Sequence, residues 1–216
     1  MPLRNGNGSP RCIRVLGVDP ASAGATGFGV VEVEGCAARP LRFGALKLPA
    51  RSDFPSRLRE IHKLIAALVD EFSPDAVAVE AVFNALNVST TVRLAEVRGV
   101  VLLAAAQASI PSHSYSPREV KASIAGYGNA SKQQMQQMVS VQLGLREYPE
   151  PADAADALAV ALCHAHITLA NERMAAAMAP RGISPHAAAP PARAAAASAS
   201  AAGRNASPVV RIVTHR

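Results

Sequence analysis

The chain has 216 residues, 50% of them hydrophobic, and a formal net charge of +6, which admits one domain with a sizeable core. Three scattered cysteines without CxxC or Cys/His spacing argue for a reducing cytosol and against a zinc site. No signal-peptide core and no run of 18 apolar residues is present, so a cytoplasmic protein with no membrane contact is expected.

The first dozen residues are rich in Gly, Asn and Pro, and a disordered N-terminus over 1–12 is expected. IRVLGV, residues 13–18, is an apolar run stopped at Asp19-Pro20, as suits a buried strand. GFGVVEVEG, 27–35, alternates Val31 and Val33 with Glu32 and Glu34, the mark of a half-exposed antiparallel strand. LRFGALKL, 41–48, completes a meander. Pro55 opens an amphipathic helix that ends near Phe72, with Leu58, Ile61, Leu64, Ile65 and Leu68 at helical spacing.

AVAVE, 76–80, is a second apolar strand ending on a carboxylate, and a helix over 88–108 follows. That helix carries a stripe of Val92, Ala95, Gly99, Leu102 and Leu103. A short strand at 113–115, a helical turn from Pro117, a GYGNAS loop, and helices over 132–143 and 152–169 complete the pattern. Five strands with interleaved helices predict an α/β domain over 13–172, a mixed sheet covered on both faces. Residues 173–216 turn to Ala, Pro, Ser and Arg without hydrophobic periodicity, which predicts a disordered tail. Residues 175–216 hold five arginines and no acid, and the rest of the chain has 17 basic and 16 acidic residues. The positive charge therefore says little about the folded part.

Two strands end in acids, Asp19 and Glu80, and ligands of open α/β sheets gather at the carboxyl ends of strands. PADAADALAVAL adds Asp153 and Asp156 at i and i+3, on one face of a helix. Each acid has a plainer explanation: an Asp-Pro turn for Asp19, and complementing of the helix dipole for Asp153 and Asp156. Glu80 is harder to dismiss, because a strand-end acid has no capping duty. The four together require a compensating cation, since like charges at close range repel. Mg²⁺ suits hard oxygen ligands, and two such ions at one site are the chemistry of phosphodiester hydrolysis. His164, 11 residues past Asp153, stands about 16 Å along the helix and is too far to share that metal.

The segments VLGVDPASAGATGFGVV, PDAVAVEAVFNALN, REVKASIAGYGNASKQQMQQMV and PADAADALAVALCHAH, in this order, resemble the RuvC family of Holliday-junction resolvases. The resemblance covers about residues 13–170. It implies an RNase H-like fold with a five-stranded mixed sheet, a homodimer, and Mg²⁺-dependent paired nicks across a four-way DNA junction. It puts the catalytic and metal-binding acids at Asp19, Glu80, Asp153 and Asp156, with two Mg²⁺ per subunit and Mn²⁺ as a candidate substitute. It puts the junction-inserting aromatic at Phe83, and lysines serving DNA binding or catalysis at Lys121 and Lys132. A RuvA–RuvB branch-migration complex as partner is suggested by the resemblance alone. The chain departs from the family pattern after Asp19-Pro20, where Ala21 stands for the usual Gly and the loop before Thr26-Gly27 is one residue longer.

From the residues alone, Phe83 could stack on a base or pack under its loop. The 88–108 stripe could serve a dimer interface through Ala95, Gly99 and Ala106, or simply cover the sheet. Two rivals remain beside a resolvase: a non-catalytic junction-binding protein, and another RNase H-like nuclease. An actin-like phosphotransferase needs a second domain, which the ordered length does not supply.

Overall fold

The computed structural model describes residues 12–22, 24–49, 51–81 and 88–178, together with the backbone course of 211–215. Its strands are β1 (Cys12–Asp19), β2 (Thr26–Glu34), β3 (Ala37–Lys47), β4 (Ala76–Glu80), β5 (Ser112–Tyr115) and β6 (Arg211–His215). Its helices are α1 (Phe54–Phe72), α2 (Val88–Gln107), α3 (Pro117–Ala125), α4 (Lys132–Gln142) and α5 (Ala152–Met178). The sheet order is β5-β4-β1-β2-β3-β6. β1, β4 and β5 run parallel, while β2, β3 and β6 join antiparallel. The five expected strands form the mixed sheet of an RNase H-like fold.

Side-chain alternation along the strands divides the core into two layers. Leu16, Val18, Val30, Val77 and Val79 face one way, onto α1 and α2. Ile13, Val15, Val31, Val33 and Ala78 face the other, onto α3, α4 and α5. Both faces are thus covered by helices, as the apolar runs in β1 and β4 demand.

Local signals set the helix starts. Asp53 caps α1 by accepting from the Ser56 amide at 2.7 Å, with Pro55 in the first turn. Ser116 and Glu119 form a capping box on α3, and Ser131 and Gln134 form one on α4.

Three expectations need correction. β2 is not half-exposed: only Glu34 of its nine residues is exposed, and Glu32 is buried. The strand lies between β1 and β3, where Arg14 Nε donates to Glu32 at 2.7 Å and Arg39 Nε at 3.0 Å. Two guanidiniums replace the water that alternation alone would assign to this carboxylate. Secondly, α5 continues to Met178, past the periodic stretch, because an alanine-rich sequence has high intrinsic helix propensity. Thirdly, Arg211–His215, placed in the tail, pairs antiparallel with β3 from Phe43↔His215 to Lys47↔Arg211. RIVTH is rich in β-branched residues, and its backbone satisfies part of what would otherwise be an open edge.

Among the described residues, no helix is long and apolar enough to cross a membrane.

Candidate active site

Asp19 and Glu80 are the last residues of neighbouring parallel strands. Val18 pairs with Val79 in the last registered step, so the two acids follow one residue later, side by side. Asp19 shares the face of Val15 and Gly17, and Glu80 that of Ala78. Both carboxylates therefore emerge on the α5 side of the sheet.

α5 reaches that point because the sheet has no side chains in its way. A β-carbon at Gly17 would lie 2.1 Å from the carbonyl oxygen of Ala157, and one at Gly27 would lie 1.9 Å from that of Asp153. Gly17 pairs with Gly29 across β1 and β2, and Asp19 pairs with Gly27. The first turn of α5 thus rests on the strand position directly beside Asp19. The alanines of α5 make the helix narrow, as expected, and the glycines complete the fit from below. Gly27 and Gly29 alternate onto one face of β2, but only the pairing of Gly29 with Gly17 brings β1 into the same landing surface.

The electrostatics of the cluster follow from this crowding. Burial first, then a hydrogen bond with Glu80, then the charges of Glu80, Asp156 and Asp153 push the Asp19 carboxyl up to about 9. A carboxyl so displaced is protonated at neutral pH unless a cation takes the proton's place. Lys132, at the start of α4, supplies one positive charge: its Nζ donates to Asp156 Oδ2 at 3.2 Å. Asp156 above all, then Asp153 and Asp19, push the Lys132 ammonium upward. One lysine against four acids leaves the cluster strongly negative.

The donor set fits a hard divalent cation: carboxylate oxygens on two strand ends and one helix face, opening onto a cavity. That cavity, of about 230 Å³, is lined by Glu80, Pro117, Lys121, Lys132, Met135 and Asp156 among others. As the side chains stand, Asp19 and Glu80 share a hydrogen bond, and among the described residues no three acids surround one point as metal ligands would. A larger cavity of about 550 Å³, between β3 and the loop after α4, contains none of the four acids.

The structure therefore brings together Asp19, Glu80, Asp153 and Asp156, with Lys132 bonded to them and Lys121 on the cavity wall. Phe83 lies outside the described residues. His164 is buried away from the acids, its Nδ1 2.7 Å from the Tyr115 hydroxyl, and Cys163 is in the core. The pairing of Lys132 with Asp156, 24 residues apart, left no trace in local spacing.

A family model described as crossover junction endodeoxyribonuclease RuvC matches residues 15–164. The RuvC of Chloroflexus aggregans is 47% identical over 154 residues, which span 71% of this chain and 93% of that protein. The RuvC of Desulfitobacterium hafniense is 44% identical over 164 residues, 76% of this chain and 99% of its own. Among solved structures, T. thermophilus RuvC in complex with Holliday junction substrate matches with a TM-score of 0.70 at 36% identity, covering 74% of this chain and 96% of that one. The yeast mitochondrial Holliday junction resolvase Ydc2, at 17% identity and a TM-score of 0.54, covers 75% of this chain and 82% of that one and shares the fold.

Proposed function

The chain belongs to the crossover junction endodeoxyribonuclease RuvC family, and from that premise we propose that it resolves four-way DNA junctions in recombination and repair by paired, metal-dependent hydrolysis. The observation that carries the reading is the convergence of Asp19, Glu80, Asp153 and Asp156 beside a cavity edged by lysines.

Asp19, Glu80, Asp153 and Asp156 are the residues that would hold Mg²⁺, two ions per subunit, with Mn²⁺ able to take its place. Such ions, when bound, lower the pKa of a coordinated water and neutralise charge on the phosphate under attack. The protein's own contributions are those of position and field. The strand ends and α5 fix the carboxylates on rigid elements, so little reorganisation is required when the phosphodiester arrives. Lys132 orients Asp156 and offsets part of its charge. Lys121, on the cavity wall without a partner among the described residues, offers its ammonium to a phosphate oxygen. Phe83, three residues after Glu80 in the sequence, is the residue we assign to stacking at the junction centre.

A homodimer is part of the reading. A four-way junction has near two-fold symmetry, and a C2 pair of sites cuts strands of like polarity together. α2 supports this: Val88, Val92 and Leu103 are 80%, 51% and 52% exposed, and nothing lies within 4 Å of a β-carbon built at Gly99. α2 buries its other face, through Val97, Val101 and Ala104, against α1 and the sheet. A RuvA–RuvB-type complex is the partner that the family suggests, and the cytoplasm the compartment.

One assay decides between a resolvase, a general nuclease and an inert binder. Purified protein is incubated with a four-way junction, a plain duplex and an RNA–DNA hybrid, with and without Mg²⁺. Symmetric nicking of the junction alone, only with the metal, is expected. Equal cutting of duplex or hybrid would make it another RNase H-like nuclease. Binding of the junction without any cutting would leave a non-catalytic binder.

A further inference from the structure

α3 begins beside the acids: Pro117 lines the same cavity as Glu80 and Asp156. The first turns of this helix carry Arg118 and Lys121, three residues apart and so on one side. Lys121 lines the cavity. Glu119, between them, is engaged elsewhere: its carboxylate accepts from the amide and the hydroxyl of Ser116, each at 2.7 Å. Among the described residues it forms no ion pair with either cation.

Arg118 is exposed, and its guanidinium has no hydrogen-bond or ion-pair partner among the described residues. Its stem is nonetheless held. The loop after α3 comes back along the helix and lays Gly128 against it, so that a β-carbon at Gly128 would lie 2.6 Å from Arg118 Cγ and 3.2 Å from Nε. Gly128 does not adopt the left-handed backbone that would by itself call for glycine. What leaves no room for a side chain at 128 is the arginine. A guanidinium whose stem is seated and whose fork is unpaired is pre-organised for an anion that comes from outside. Lys132 differs, because its ammonium is already occupied by Asp156.

We propose that Arg118, seated on Gly128, is a positioning residue that grips a backbone phosphate of the DNA neighbouring the one being cut, just outside the cavity of the four acids. The proposal rests on the nuclease reading above. It makes Gly128 part of the DNA-binding surface without any contact of its own.

Binding of a four-way junction, without divalent metal, is measured over a range of salt for wild type, Arg118→Gln, Arg118→Lys, Gly128→Ala and the Arg118→Gln/Gly128→Ala double variant. Arg118→Gln is expected to reduce the slope of log Kd against log salt by about 0.9, one phosphate contact. It weakens binding by the same factor on junctions of different sequence, and its cleavage defect in Mg²⁺ falls on KM rather than kcat. Arg118→Lys restores the slope. Gly128→Ala weakens binding in the wild-type background but adds nothing to Arg118→Gln, because its effect travels through the arginine. An unchanged slope in Arg118→Gln, or a Gly128→Ala penalty that persists beside it, overturns the proposal. Wild-type protein that neither binds nor cuts the junction overturns the nuclease reading itself, a result the variants cannot imitate.

Discussion

The α-carbon of Gly27 faces the backbone of Asp153 so closely that a β-carbon there would stand 1.9 Å from the Asp153 carbonyl oxygen. A methyl group at 27 must lift the start of α5 from the sheet, and with it the two acids. Gly27→Ala is therefore expected to cost about 1 to 3 kcal/mol of stability as an overpacked contact. Cleavage falls further than stability implies, on the order of a hundredfold, because misplacement of about 1 Å suffices for that. Thermal midpoints and single-turnover nicking, measured on the same preparation, separate the two effects. Normal nicking by a destabilised Gly27→Ala would detach the helix position from catalysis.

Asp19→Asn and Asp156→Asn each replace a carboxylate that would hold the metal by an amide of nearly the same shape. Nicking is expected to fall below detection in both, while affinity for the junction in the absence of metal changes little. The metal can be followed apart from activity. A ligand present at about a hundred times its Kd stabilises the folded state by about 2.7 kcal/mol, so Mg²⁺ should raise the melting temperature of wild type. The same addition should leave Asp19→Asn nearly unmoved. Normal cutting by both variants, or an equal rise in melting temperature, would remove these residues from the metal site.

The parts of this site that were legible in the sequence are those written in neighbouring positions. Four apolar residues before Glu80 announced a buried strand with an acid at its end, and the three-residue spacing of Asp153 and Asp156 placed both on one side of a helix. The parts that were not legible depend on pairings across the sheet. Glu32 looked like a solvent-facing residue, because alternation cannot show that Arg14 and Arg39 close over it from two flanking strands. The landing surface of α5 depends on Gly17 meeting Gly29 in register, which no local window contains. Arg211–His215 was hidden by the alanine- and proline-rich composition of the segment around it.

Lys132 and Asp156 lie 3.2 Å apart, but the lysine side chain is 61% exposed and the aspartate 34%. Water screens such a pair, and its loss should change stability by less than about 1 kcal/mol. Lys132→Met is thus expected to melt close to wild type while cutting junctions far more slowly, since Asp156 loses its orientation and the site one positive charge. Parallel melting curves and nicking rates test this. A variant that cuts normally would leave Lys132 a surface residue.

His164 is packed between Tyr115 and the ring of His113, whose centroid is 4.4 Å away, with Thr168 Oγ1 3.4 Å from its other nitrogen. Burial, and then His113, hold its pKa down at about 4, against an ordinary 6.5. Between those values the unfolded chain takes up a proton that the folded chain refuses, so stability falls as the pH falls through this window. The drop attributable to this one group is on the order of 3 kcal/mol. His164→Gln, neutral throughout, should show a shallower decline in melting temperature from about pH 6.5 to 4 than wild type. Identical slopes would mean that His164 opens to water before it titrates.

α2 presents Val92, Ala95, Gly99, Leu103 and Ala106 on the side turned away from the sheet. These positions recur every three or four residues, the spacing at which two helices can pack lengthwise, and the small residues among them permit close approach. A carboxylate placed in the middle of such a seam would be buried against its own copy across the two-fold axis, where like charges oppose each other directly. On the proposed two-fold arrangement, wild type is expected to sediment as a dimer and Leu103→Glu, at the same concentration, as a monomer in sedimentation velocity. Folding should survive, because Leu103 is exposed within the subunit and Val97, Val101 and Ala104 keep the opposite face in the core. The functional consequence is specific: a monomer holds one set of acids per junction, so the two nicks become independent events and singly nicked junctions accumulate. A supercoiled cruciform plasmid reads this out, since paired cutting linearises it and single cutting only relaxes it. Leu103→Glu that stays dimeric and linearises the plasmid would move the two-fold interface to another face of the molecule.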